Sequence, residues 1–271
     1  MADVKFDSRK KGIGLDIKEL YEYRDLFIIL AYRDLRVRYA QTFLGLFWAL
    51  LQPAATLLIF VLIFGKAVKV DTGDIPYPLF ALTGMAAWAY FSFVFSQSGQ
   101  SIIGAQEMVK KIYFPRLVIP LSKSLVAFID FIITMVFVIV LMIIYQFPIT
   151  ANFVWFPVFF ILNVTAALAI GIWLSALTIR YRDFIHVIPF LVQFGLYATP
   201  VGYPASLIPE KYQLIYHLNP MAGVVEGFRY SILGGEEISQ FSWLSYIIIL
   251  LLFISGIIYF KKVEKVMADI V

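Results

Sequence analysis

The 271-residue chain has no cysteine, which excludes disulfides, thiolate nucleophiles and cysteine-held metals. Histidine is scarce. His186 and His217 stand 31 positions apart, so no histidine-based metal site is expected. Charge is scarce too: 15% of residues are Asp, Glu, Lys or Arg, against about 25% in soluble domains. No Gly-x-x-x-x-Gly-Lys loop exists; Gly65-Lys66 is the sole Gly-Lys pair, and Phe60 stands where the first glycine would be. Gly-x-Ser-x-Gly and His-Glu-x-x-His are absent as well. There is no inverted-repeat pattern and no ladder of intramembrane charges of the kind that carries ions. Together these absences point away from catalysis by this chain and away from self-supplied ATP chemistry.

What the chain has in abundance is apolar length: 61% hydrophobic residues and a mean hydropathy of +0.85. The first residues are polar and lead into no short apolar core with a small-residue cleavage site, so no signal peptide is expected. The reading is an all-α integral membrane protein. Residues 1–41 form a cytoplasmic tail and an amphipathic interfacial helix, and residues 42–271 a six-span domain. Residues 16–40 place Ile17, Leu20, Tyr21, Ile28, Ala31, Tyr32, Leu35 and Tyr39 on one helical face. Their apolar centre is too short to cross and suits a helix lying in the interface.

Phe43 to Gly65 carries no charge; at about 1.5 Å per residue it covers the roughly 30 Å hydrocarbon core. Further spans are expected at about 79–106, 121–147, 153–179, 184–202 and 241–260. SQSGQS at 96–101 lies inside an apolar run and reads as small polar residues that pack helices together. Asp130, inside the third span, reads as a proton relay or, as favoured, as a hydrogen bond between packed helices or a site near the headgroups. Residues 197–235 hold two apolar pieces too short to cross and read as re-entrant, with Asn219-Pro220 opening the second and Glu226 and Arg229 able to pair on one face. With six spans and both termini inside, 18 of the 22 lysines and arginines fall on the cytoplasmic side, as the positive-inside rule requires.

The stretch 107–123, EMVKKIYFPRLVIPLSK, is a basic, proline-marked island between two spans. On the cytoplasmic side it is a place for an external engine to push, with Lys110, Lys111, Tyr113, Phe114, Pro115 and Arg116 as candidate contacts. Aromatics are plentiful, with 26 Phe, 16 Tyr and 5 Trp. Phe43, Phe47 and Trp48 in the first span and Phe190, Phe194 and Tyr197 in the fifth either face lipid, pack in the core, or form a channel wall on which the C–H faces of sugar rings slide.

Three motifs in order carry a family resemblance: YRDLRVRYAQTFLGLFWALLQPA, VKKIYFPRLVIPLS and LNPMAGVVEGFR. The chain resembles the membrane (permease) subunit of ABC-type polysaccharide exporters, which serve O-antigen, capsule, lipopolysaccharide and teichoic-acid biosynthesis. The resemblance implies a homodimer in the bacterial inner (plasma) membrane with two separate nucleotide-binding subunits that hold ATP and Mg, and no cofactor or metal in this chain. It implies that helix 16–40 is a gate, that 107–123 forms a coupling helix, that the first and fifth spans line the conduit, and that 197–235 caps its outer end. The cargo would be a polyprenyl-(pyro)phosphate-linked glycan, whose anionic head suits Arg33, Arg36 and Arg38; plain positive-inside anchoring explains those arginines equally well. Competing readings are an ABC exporter of small drugs or lipids, and a non-transporting scaffold or glycosyltransferase subunit.

Overall fold

The computed structural model describes residues 17–39, 47–234, 237–265 and 267. Among them 82% of the chain is helix, with no strand. In order come α1 (Ile17–Glu22), α2 (Arg24–Tyr39), α3 (Phe47–Phe60), α4 (Tyr77–Gly104), α5 (Gln106–Lys111), α6 (Val118–Ile144), α7 (Phe156–Arg180), α8 (Phe184–Ala198), α9 (Glu210–Tyr216), α10 (Pro220–Leu233) and α11 (Ser242–Glu264). α3 continues into a π-helical stretch, Val61–Ala67, and a 3-10 turn, Ala151–Trp155, leads into α7. Among the described residues, five helical segments are long and apolar enough to cross a membrane: 47–67, 77–104, 118–144, 151–180 and 242–264.

The fifth expected span, 184–202, is shorter than its sequence suggests. α8 stops at Ala198 after 15 residues, about 22 Å of helix against a hydrocarbon core of about 30 Å. The cause is Pro200. The residue before a proline is pushed out of the helical region, and Thr199 is extended at φ −103°, ψ 144°. Beyond it the first of the two short apolar pieces forms turns and a 3-10 segment, Ala205–Leu207. The second is a true helix, α10. It starts where Asn219-Pro220 predicts, the Asn219 side chain accepting the Met221 N–H at 3.0 Å, and stops at Gly234 in the left-handed region (φ +61°).

α4 is the centre of the bundle. It packs against α6, α7 and α10, while α11 lies on the far side of α7. Close approach is set by small residues. Gly171 faces the Ser98 side chain, where a Cβ would meet Ser98 Cβ at 2.7 Å. A Cβ at Gly227 of α10 would sit 2.1 Å from the Phe159 ring of α7. The SQSGQS stretch does what helix packing asks of it: Ser98 Oγ donates to the Pro120 carbonyl at 2.8 Å, and Thr178 Oγ1 donates to the Gly99 carbonyl at 2.7 Å.

The amphipathic helix differs in detail. A turn at Tyr23 divides it into α1 and α2. α2 rests on α6 and buries Leu30 and Ala31, with Leu26 and Phe27 partly covered, while Ile28 and Tyr32 of the expected face point outward. The segment is apolar on two sides, and the ion pairs described below decide which side meets the protein.

Candidate functional site

One end of the bundle is built from α2, α5, the first turns of α6 and the end of α11. In α5, Glu107, Lys110 and Lys111 are exposed, and Val109 is the residue that anchors the helix to the core. Lys111 and Glu107 form an exposed pair at 3.2 Å, a contact of small energetic weight. Beyond α5 the chain runs outward and then inward: Ile112 and Tyr113 are exposed, whereas Phe114, Pro115 and Leu117 are buried. The six candidate contacts therefore divide. Lys110, Lys111 and Tyr113 face outward; Phe114 and Pro115 hold the loop to the bundle. Arg116 is half-buried and grips the end of α11. Its backbone N–H donates to Glu264 Oε1 at 2.9 Å, and its Nη1 donates to the Glu264 carbonyl at 2.7 Å. Glu264 also pairs with Lys261 at 3.1 Å.

α2 is fastened to α6 at two points. Lys123 Nζ donates to Asp34, which also receives Arg33 at 2.8 Å. Arg38 meets Asp130 at 2.8 Å, lies 4.6 Å over the Phe93 ring, and the Tyr39 hydroxyl donates to the same carboxylate. Burial raises the Asp34 pKa, but hydrogen bonds from Lys123 and Arg33 and their charges outweigh it, leaving the group below the ordinary carboxylate range. Burial, with the Asp130 carboxylate, pushes the Tyr39 phenol up to about 12. Asp130 is thus a partner in packing between helices, as favoured above. Of the three arginines singled out, Arg33 and Arg38 contact acids, and Arg36 is exposed. A cavity of about 390 Å³ opens beside Arg38 and Asp130, lined also by Gln52, Thr56, Gln97 and Thr134.

Phe43 lies outside the described residues. The other five candidate lining aromatics, Phe47, Trp48, Phe190, Phe194 and Tyr197, are each more than half exposed, so they are not core residues. Phe190 and Phe194 stack along α8, centroids 6.2 Å apart and planes 15° from parallel. α8 lies close on α4 through Gly195, where a Cβ would meet the Trp88 ring at 2.6 Å.

At the opposite end, Glu226 and Arg229 have distinct hydrogen-bond partners. Glu226 accepts from the Ser242 hydroxyl and faces His217, whose Nε2 is 3.3 Å from both carboxylate oxygens. His217 is fully buried, and its Nδ1–H donates to the Gln213 carbonyl at 2.8 Å. Burial depresses the imidazole pKa, but the Glu226 and Gln213 contacts outweigh it and raise the pKa above 6.5. Arg229 is buried, lies 3.5 Å over the Phe80 ring, and donates to the carbonyls of Val201 at 2.7 Å and Phe80 at 3.3 Å. Both residues border a cavity of about 290 Å³ shared with Gln213, Glu237 and Gln240.

Three joints escaped the sequence reading: Asp34–Lys123, Arg116–Glu264 and His217–Glu226. The first two join residues 89 and 148 positions apart, and no local pattern signals such a contact. His217–Glu226, nine positions apart, combined the sole other histidine with an acid already noted.

Residues 25–233 match the family described as ABC-2 type transporter. An O-antigen export system permease protein, RfbA, of Myxococcus xanthus is 32% identical over 79% of this chain and 82% of its own length. A Klebsiella pneumoniae protein of the same name is 28% identical over 91% of this chain and 95% of its own. The polysialic acid transport protein KpsM of Escherichia coli is 27% identical over 88% and 93%.

Proposed function

Because the chain belongs to the ABC-2 type transporter family, we propose that it is the channel-forming subunit of an ATP-driven exporter of a polyprenyl-(pyro)phosphate-linked polysaccharide. The observation that carries this reading is the near full-length similarity to permeases named for O-antigen export and for polysialic acid transport. Two copies sit in the bacterial inner membrane with both termini in the cytoplasm. Two nucleotide-binding subunits, holding ATP and Mg, dock beneath them.

The geometry supports a division of labour. Exposed Lys110, Lys111 and Tyr113 present a basic and aromatic surface for the nucleotide-binding subunit, and the buried Phe114 and Pro115 pass its thrust into the bundle. Exposed rings on α3 and α8 suit a conduit between two copies, where apolar sugar faces slide over aromatic planes and hydroxyls stay wet. α2 lies at the cytoplasmic mouth as the gate. Arg33, Arg36 and Arg38 receive the anionic head of the cargo, and Arg36 is exposed, with no ion pair to an acid among the described residues.

Purification from native membranes in mild detergent tests the assembly. A four-chain particle with one nucleotide-binding chain per membrane chain, hydrolysing ATP, is expected. A stable particle that crosslinks to no ATPase overturns the reading. Reversing charge at Lys110 and Lys111 to Glu is expected to abolish export while the protein still inserts, and undiminished export would remove the coupling role.

A further inference from the structure

The loop that takes the thrust and the helix that closes the mouth are joined by α6. The loop residues Phe114, Pro115 and Leu117 and the first residues of α6, Val118 and Ile119, are all buried, so a displacement of the loop is not absorbed locally and passes into α6. Along α6, Lys123 and Asp130 lie two turns apart on one face and meet Asp34 and Arg38, one turn apart on α2. The signs alternate. α2 presents an acid and then a base, and α6 presents a base and then an acid. A slip of α2 by one turn along α6 would set Arg38 against Lys123, and like charges at that distance repel. Position and register of α2 on α6 are therefore both specified. The contact behaves as a strap rather than a sliding surface.

We propose that Lys123 and Asp130 are positioning residues that make α2 travel with α6, so that thrust on the loop after α5 opens or closes the mouth through this strap. The proposal rests on the reading of the chain as an ATP-driven exporter with α2 as its gate. It assigns transmission to α6, not to α3, the helix that follows α2 in the chain.

Charge exchange tests it in the full complex with its ATPase subunits, reconstituted in lipid. Asp34→Lys or Lys123→Asp alone is expected to lower cargo exported per ATP hydrolysed by about tenfold, with hydrolysis itself retained. The double exchange, Asp34→Lys with Lys123→Asp, is expected to restore most of the ratio. A merely structural role would lower hydrolysis and export together and would not be rescued by exchange. Where a reversal prevents insertion, Asp34→Asn and Lys123→Gln give the same reading with a smaller fall. An unchanged ratio in the single variants, or a fall that the exchange does not rescue, overturns the proposal.

A second readout does not need transport. Because the chain lacks cysteine, Ala31→Cys, on the buried face of α2, gives one labelling site. In the isolated membrane protein its reaction with a maleimide is expected to quicken in each single variant and slow again in the exchange. If wild-type complex shows no ATP-dependent export, the exporter reading fails, and the labelling result still decides whether the strap exists. Equal labelling in all variants removes the strap even where export is normal.

Discussion

The two ends of the molecule are held in different ways. At the end carrying α10, polar groups are buried and committed. Arg229 lies on the Phe80 ring with carbonyls as acceptors, and His217, Glu226 and Ser242 join α9, α10 and α11. At the end carrying α2, the contacts are ion pairs between partly exposed side chains, beneath a helix whose outer surface shows Ile28 and Tyr32. A buried, bonded network shared by three helices resists any local change, whereas ion pairs that tie α2 to α6 alone let those two helices move as one. The first end is built to stay and the second to move.

The comparison can be broken at the rigid end first. Arg229→Met leaves carbonyls of Phe80 and Val201 without their donor and is expected to destabilise the protein by about 3 kcal/mol, read as a fall in detergent melting temperature and in accumulated protein. Gly227→Leu drives a side chain into the Phe159 ring and is expected to cost about 2 kcal/mol, read in the same assay. If either variant melts like wild type, the end carrying α10 is not the rigid one. A third experiment uses pH. The imidazole of His217 has its folded pKa raised above 6.5, so the stability it contributes is complete below that value and is lost as pH rises through the folded pKa. Melting temperature is expected to fall as pH rises through that folded pKa in wild type, and His217→Phe is expected to flatten the profile. A slope that persists in the variant would belong to another group. The smallest effect is at the mobile end: Lys111→Ala removes one exposed pair and is expected to change stability by less than about 0.5 kcal/mol while still weakening ATPase capture in a pull-down.

The membrane spans were legible because lipid leaves the backbone no choice but long apolar helices, and the α10 start was legible because Asn219-Pro220 is a local signal. The end of the 184–202 segment was overread: apolarity continues past Ala198, and Pro200 ends the helix regardless. The side of α2 that meets the bundle was not legible, because Leu30 and Ile28 are equally apolar, and charges at Lys123 and Asp130, remote in sequence, choose between them. The same remoteness hid the Arg116–Glu264 joint, whereas the exposure of Lys110 and Lys111 followed from their density in a short stretch. The aromatic candidates were half legible. Their spacing marked a shared face on α8, and only the fold showed that this face is uncovered.

The burial of α4 has a consequence for how the protein is made. α4 is the least apolar of the five spanning segments and the most enclosed. A ribosome delivers it before α6, α7, α10 and α11 exist, so its serines, glycines and glutamines first meet lipid rather than protein. Each later helix that arrives covers part of that surface, and α10, one of its close neighbours, is made only after α6, α7 and α8. Assembly of the bundle is therefore completed late, and a chain cut short before Pro220 would leave in the bilayer a helix whose polar surface was shaped for neighbours it never receives.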